Sequence, residues 1–141
     1  MEKRQYIDIE DMSVEVLLST DLIECFDTRL KTENTGPSLH YHRNTDHMFY
    51  IQDGKVEVAV GEQRVIATPG MAVIVPRLIP HEFHSIEGPA RLIVTCIPGD
   101  GHKEYLFELS EFIKSGSSWD EGIVALQEKY DVHPPYNNIH P

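Results

Sequence analysis

The sequence predicts an all-β domain, a sandwich or barrel of short strands, followed by C-terminal helices. Three observations carry that expectation. From about Ser13 to Pro98, β-branched, aromatic and alternating apolar residues recur in short runs. Turn-forming pairs punctuate those runs. After "PGDGH" the apolar period lengthens from that of a strand to that of a helix.

Nine runs read as strands: "SVEVLLS", "LIECFDTRL", "SLHYH", "HMFYIQ", "KVEVAV", "QRVIAT", "MAVIVP", "HEFHSI" and "ARLIVTCIP". Gly36-Pro37, Asp53-Gly54, Gly61-Glu62, Pro69-Gly70 and Gly88-Pro89 supply turns between them. Asp53-Gly54 between two alternating runs is the standard signature of a two-residue hairpin. Strands at this spacing make a sandwich or a barrel. In "KEYLFELSEFIKS", Tyr105, Leu106, Leu109, Phe112 and Ile113 fall on one helical face. "SSWDEGIVALQEKY" repeats the pattern with Trp119, Ile123, Leu126 and Tyr130, and Ser118 and Glu121 stand in capping-box relation. Both stripes are expected to pack on the sheet. The chain therefore divides into an N-terminal segment (1–12), a β-domain (13–98) and a helical extension with a Pro- and Asn-rich tail (99–141).

Bulk properties narrow the function. A chain of 141 residues is long enough for one hydrophobic core without disulfides or a structural metal. Its formal charge of −11 repels nucleic acid and anionic membrane, so neither is expected as a partner. No apolar run reaches the roughly 18 residues of a membrane span. With no apolar leader and only two isolated thiols, Cys25 and Cys96, a cytoplasmic protein with reduced cysteines is expected. No glycine-rich nucleotide loop, nucleophile elbow or marked pair of acids is present.

The stretch "GPSLHYHRNTDHMFYIQDG" crowds three histidines together. Side chains two apart on a strand share a face, so His40 and His42 point the same way. After a short loop His47 opens the next strand, within reach of the first two. Downstream, "PRLIPHEFHS" offers His81 and His84 on opposite faces, so only one of them can join a cluster. Phe49 and Ile51 share the face of His47, and Phe83 that of His81. Such apolar neighbours suit a small-molecule pocket, although ordinary core packing accounts for them equally well. Tyr41 alternates away from the histidine face and reads as structural. Arg77 reads as a surface residue, His84 as facing outward from the barrel, and His102, His133 and His140 as solvated residues of turns or the tail.

These residues resemble the two motifs of the cupins. The first appears as Gly36, His40-Tyr41-His42, His47 and Gly54; the second as Gly70, Pro76, His81 and Ser85. The flanking segments look like single-domain, quercetin-dioxygenase-like cupins, over roughly residues 13 to 135. The resemblance implies a double-stranded β-helix, or jelly-roll, barrel and a homodimer like those of its relatives. It places metal ligands on His40, His42, His47 and His81. His47 stands where the family usually has Glu; counting one residue fewer selects Asp46, but the spacing to Gly54 favours His47. Imidazoles suit iron, zinc, nickel or copper. The implied function is metal-dependent chemistry on a small organic molecule, with dioxygenase activity as the leading expectation and a non-catalytic binding or sensor module as the alternative. No catalytic residue is marked out beyond the ligands.

Overall fold

The computed structural model describes residues 4–116 and 119–134. Among the described residues, seven strands precede two helices: β1 (Gln5–Ile9), β2 (Met12–Ser19), β3 (Glu24–Leu30), β4 (Asp46–Val60), β5 (Gln63–Ala67), β6 (Ala72–Val75), β7 (His81–Ile97), α1 (His102–Lys114) and α2 (Trp119–Lys129). The ladder runs β1-β2-β3-β7-β4-β5, and β6 pairs with β4; every pairing is antiparallel.

This corrects the expected jelly-roll barrel. The sheet is open: among the described residues no pairing joins β1 to β5 or β6 and closes the ladder. A barrel requires every edge to find a partner strand. Here α1 packs against β1 instead, and Ser110 Oγ donates to the Asp8 carbonyl at 2.6 Å. Covering an edge region with a helix is a recognised alternative to closure. The result is a mixed sheet-and-helix fold.

The expected hairpin at Asp53-Gly54 is also absent. "HMFYIQ" and "KVEVAV" form one continuous strand, β4, and the two runs around Gly88-Pro89 form one continuous strand, β7. The two long strands pair along their length, from Asp46↔Ile97 to Val60↔His81, with register shifts on either side of Asp53. Extra residues on one strand bend the ladder without ending it. Gly54 has φ +75°, and a Cβ there would meet the Pro89 carbonyl oxygen and Ala90 Cα (2.8 Å). The glycine thus serves a close approach inside a bulge, not a turn. If straight, the thirteen steps from His47 to Val60 would span on the order of 40 Å. Instead the His47 and His81 rings lie 5.8 Å apart, so the ribbon bends back until its ends meet. That bend assembles the histidine cluster.

"SLHYH" contributes only isolated bridges, His40↔His81 and Tyr41↔His133. β1 is an additional strand in the N-terminal segment (1–12), where the sequence predicts no element. The core is built from inward-facing Phe26, Leu30, Phe49, Ile51, Val58, Leu92 and Val94, with Tyr105 and Leu106 of α1 and Ile123 and Leu126 of α2. Leu109, Phe112, Ile113 and Tyr130 pack against it, as the helical stripes predicted. Ser118 of the expected capping box lies outside the described residues, as do the side chains of Trp119 and Glu121 and the tail from 135 onward.

Candidate metal centre

Backbone hydrogen bonds fix the extended "LHYH" segment across the start of β7. His40 N–H donates to the His81 carbonyl at 3.0 Å, and His81 N–H donates back to the His40 carbonyl at 2.8 Å. Leu78 N–H donates to the His42 carbonyl at 2.6 Å. The ring centroids of His40, His42 and His81 therefore stand 4.4 to 5.2 Å apart. One donor atom from each lies within 4.8 Å of the other two.

The orientation of the rings is fixed from behind. Nδ1 of His40 lies 2.7 Å from the Ser38 carbonyl, that of His42 2.9 Å from the Asp131 carbonyl, and that of His81 3.0 Å from the Ile79 carbonyl. A carbonyl oxygen only accepts, so each Nδ1 carries the ring proton and each Nε2 presents a lone pair. This is how metal-binding histidines are held, with one nitrogen anchored and the other directed at the ion. The Nε2 atoms of His42, His47 and His81 are buried with no hydrogen-bond partner in the protein. Each orphaned atom of this kind costs about 1–3 kcal/mol. For His42 and His81, grouped with His40, a bound cation would satisfy both lone pairs at once, so these residues fit a transition metal.

His47 is buried on the inner face of β4, stacked on His42 with centroids 4.3 Å apart. Its donor atom, however, groups with Cys96 and His102, those three lying within 4.8 Å of one another. The four histidines expected from sequence thus appear as a group of three with the fourth beside it. Asp46, the carboxylate alternative, is held by Arg77, whose backbone N–H, Nε and Nη2 donate to it at 2.8, 3.1 and 3.1 Å.

The expectations for His102 and His133 need correcting. His102 is not a solvated turn residue. It opens α1 with its ring 5.4 Å from that of His47, 6.0 Å from that of His42 and 5.4 Å from that of Phe26. Its position is set by Glu24, which is 1% exposed on β3 and accepts from the backbone N–H groups of Asp100, His102 and Lys103. His133 is half-buried, stacked on Tyr41, with Nε2 2.7 Å from Asp131 Oδ1. His84 lies off the cluster, 3.2 Å from Glu57, and His140 is outside the described residues. Asp131 went unnoticed in the sequence. Besides anchoring His42, its carboxylate accepts from the N–H groups of Arg43 and Asn44, and so ties the end of α2 to the ligand loop.

Burial is the main force on the imidazoles, and it disfavours their charged form. It holds His40 below its ordinary value and His47 well below, with the neighbouring imidazoles adding to the effect on His47. Burial pushes His81 down to about 3 and His102 to about 4, Glu24 partly opposing the latter. Asp100 moves the other way, up to about 6, through burial and the nearby Asp131 and Glu24 carboxylates.

Stability should follow the histidines on acidification. Below about pH 6.5 the unfolded chain takes up protons that the folded cluster refuses, so stability falls as pH drops from about 6.5 towards about 3. Each proton so withheld costs about 1.4 kcal/mol per pH unit. Asp100 opposes this, since its raised value makes the folded state bind a proton more readily between about pH 6 and 4. One carboxyl does not outweigh several imidazoles. Urea midpoints of metal-free protein should therefore fall steeply from about pH 7 to about pH 5, and a flat profile would contradict the neutral cluster.

A cavity of about 940 Å³ adjoins the cluster. His40, His47, His81 and His102 line it together with Phe26, Phe49, Phe83, Val94, Tyr105, Leu106, Leu109 and Ile123. Phe49 and Phe83, expected in a pocket, are there; Ile51 is fully buried in the core and is not among the lining residues. The volume suits a small organic ligand. No helix among the described residues is long and apolar enough to cross a membrane.

Comparison with known proteins bears on the fold. Residues 28–97 match the model of the cupin domain. No curated protein sequence gives a match. Among solved structures, TT1209 from Thermus thermophilus is similar at 26% identity, covering 66% of this chain and 89% of its own, with a TM-score of 0.61. An RmlC-like cupin from Shewanella frigidimarina is 19% identical over 72% of this chain and 89% of its own, at 0.66. KdgF from Halomonas sp. is 19% identical over 67% and 86%, at 0.62.

Proposed function

The chain is a single domain of the cupin superfamily, and on that premise we propose that it is a metal-dependent enzyme acting on a small organic molecule, with dioxygenase-type turnover. One observation carries the proposal. His40, His42 and His81 present lone pairs to one point beside a largely apolar cavity, each fixed by a carbonyl behind it. A divalent iron, zinc, nickel or copper ion bound there supplies Lewis acidity and, where the ion is redox-active, reactivity towards dioxygen.

The chain's own residues do the rest. All three donors are neutral, so the centre attracts anionic heads such as enolates and carboxylates. Phe49, Phe83 and Leu106 receive the apolar body of the ligand and exclude water from it. Aromatic and keto compounds fit this wall better than sugar phosphates. A non-catalytic binding module is the second reading. It is favoured by the engagement of Asp46 with Arg77, which removes the carboxylate nearest in sequence as a base.

The test is anaerobic reconstitution with each ion, followed by oxygen uptake and product analysis with flavonols and β-diketones. Turnover by the loaded protein is the expected result. Ligand-dependent thermal shifts without product would favour the binding module. A chain that retains no ion under any of these conditions would overturn both readings.

A further inference from the structure

We propose that His47, Cys96 and His102 form a second cation site, sulfur-containing and suited to thiophilic ions, beside the three-imidazole group. Three elements bring these donors together. His47 and Cys96 are paired in register on the inner faces of β4 and β7. His102 arrives from the first turn of α1, after the chain leaves β7. The donor atoms lie within 4.8 Å of one another, a span that one ion with bonds of about 2.0–2.3 Å closes after small side-chain rotations.

The site is built rather than incidental. His47 is 4% exposed and its Nε2 has no hydrogen-bond partner in the protein. Cys96 is fully buried. Glu24 faces Cys96 in register on β3 and receives the His102 N–H at 3.0 Å, so a buried carboxylate both places His102 and offsets positive charge. His47 and His102 also line the cavity, which gives an ion its route in.

A thiolate with two imidazoles is a donor set for zinc or another borderline or soft ion, not for magnesium or calcium. Binding replaces the Cys96 thiol proton by the metal, and the proton passes to solvent. The assignment separates His47 from the His40/His42/His81 group. Two adjacent ions are an arrangement that metalloproteins sustain.

Cobalt(II) alone is the probe, titrated into the full, reduced, metal-free chain without oxygen. Two equivalents should bind, one of them producing the near-ultraviolet absorption of a cobalt–thiolate bond. Cys96→Ser should abolish that absorption and one equivalent. His102→Gln removes a ligand outright and should weaken the same ion by more than about 100-fold, beyond what loss of a supporting group costs a metal site, so that the absorption is lost at two equivalents of cobalt. His40→Ala should lose the other ion and keep the thiolate absorption, which separates a failure of this site from a failure of the three-imidazole centre. His47→Gln should remove the thiolate-bearing ion alone. The proposal is overturned if wild-type protein shows no thiolate absorption, if the absorption survives Cys96→Ser or His102→Gln, or if His47→Gln strips only the ion without it.

Discussion

Alanine in place of His81 is expected to strip the three-imidazole group of its ion while leaving the fold intact. His81 is 1% exposed and provides one of three converging donors. Removing a group that merely supports a ligand typically costs about 10–100-fold in metal affinity, so removing a ligand outright should cost more than about 100-fold. The fold should survive because the two bonds joining His81 to His40 are between backbone groups, which alanine retains. In metal-free protein the substitution has opposing effects. It removes a buried lone pair without a partner, worth about 1–3 kcal/mol, and it leaves a void where the ring was. Metal-free wild type and variant should therefore melt close together. Adding metal should separate them, since an ion at a hundred times its dissociation constant stabilises the native state by about 2.7 kcal/mol. Elemental analysis and thermal melts with and without the ion decide the matter. Equal ion content in the two proteins would sink the assignment of His81.

The parts of this site that sequence exposed were those governed by local periodicity. His40 and His42 share a face because they are two apart, and the resemblance of Gly70, Pro76 and His81 to the second cupin motif pointed to the third histidine of the group. The same parity rule placed Phe49 and Phe83 on the pocket side. It failed where one local signal serves two geometries. Asp53-Gly54 reads as a hairpin, but a glycine at positive φ is also what a bulge with close backbone contact requires, and only the opposing bulge in β7 distinguishes the two. Among the described residues, two mergers of neighbouring runs and the near absence of pairing in "SLHYH" reduce the nine expected strands to six, and β1 brings the number to seven. His102 and Asp131 were missed because their roles depend on where the helices dock. One clue was available. Glu24 shares the inner parity of Phe26 and Thr28 on β3, and a charge on an inner face must find donors.

Glu24→Ala should therefore be among the most damaging single substitutions outside the histidines. Oε1 accepts from Asp100 N–H at 3.2 Å and His102 N–H at 3.0 Å; Oε2 accepts from Ser19 Oγ at 2.8 Å and Lys103 N–H at 3.2 Å. α1 has Gly101 at its N-cap and no side-chain cap of its own, so this distant carboxylate satisfies N–H groups that a helix leaves unpaired at its start. Its negative charge also opposes the positive end of the helix. Alanine deletes all of these bonds, and a loss of about 2–4 kcal/mol is expected. Glutamine should be milder, at about 1 kcal/mol. Its oxygen can still accept from Asp100 and His102, and its amide can donate to the Ser19 hydroxyl, but it then faces the Lys103 N–H with another donor. The damage should be local before it is global. Hydrogen exchange at residues 102–105 should accelerate in both variants under conditions where the β3–β7 ladder remains protected. If glutamine proved as harmful as alanine, the charge would outweigh the bonds. If exchange in the first turn of α1 did not change, Glu24 would not be what holds His102 in the cluster.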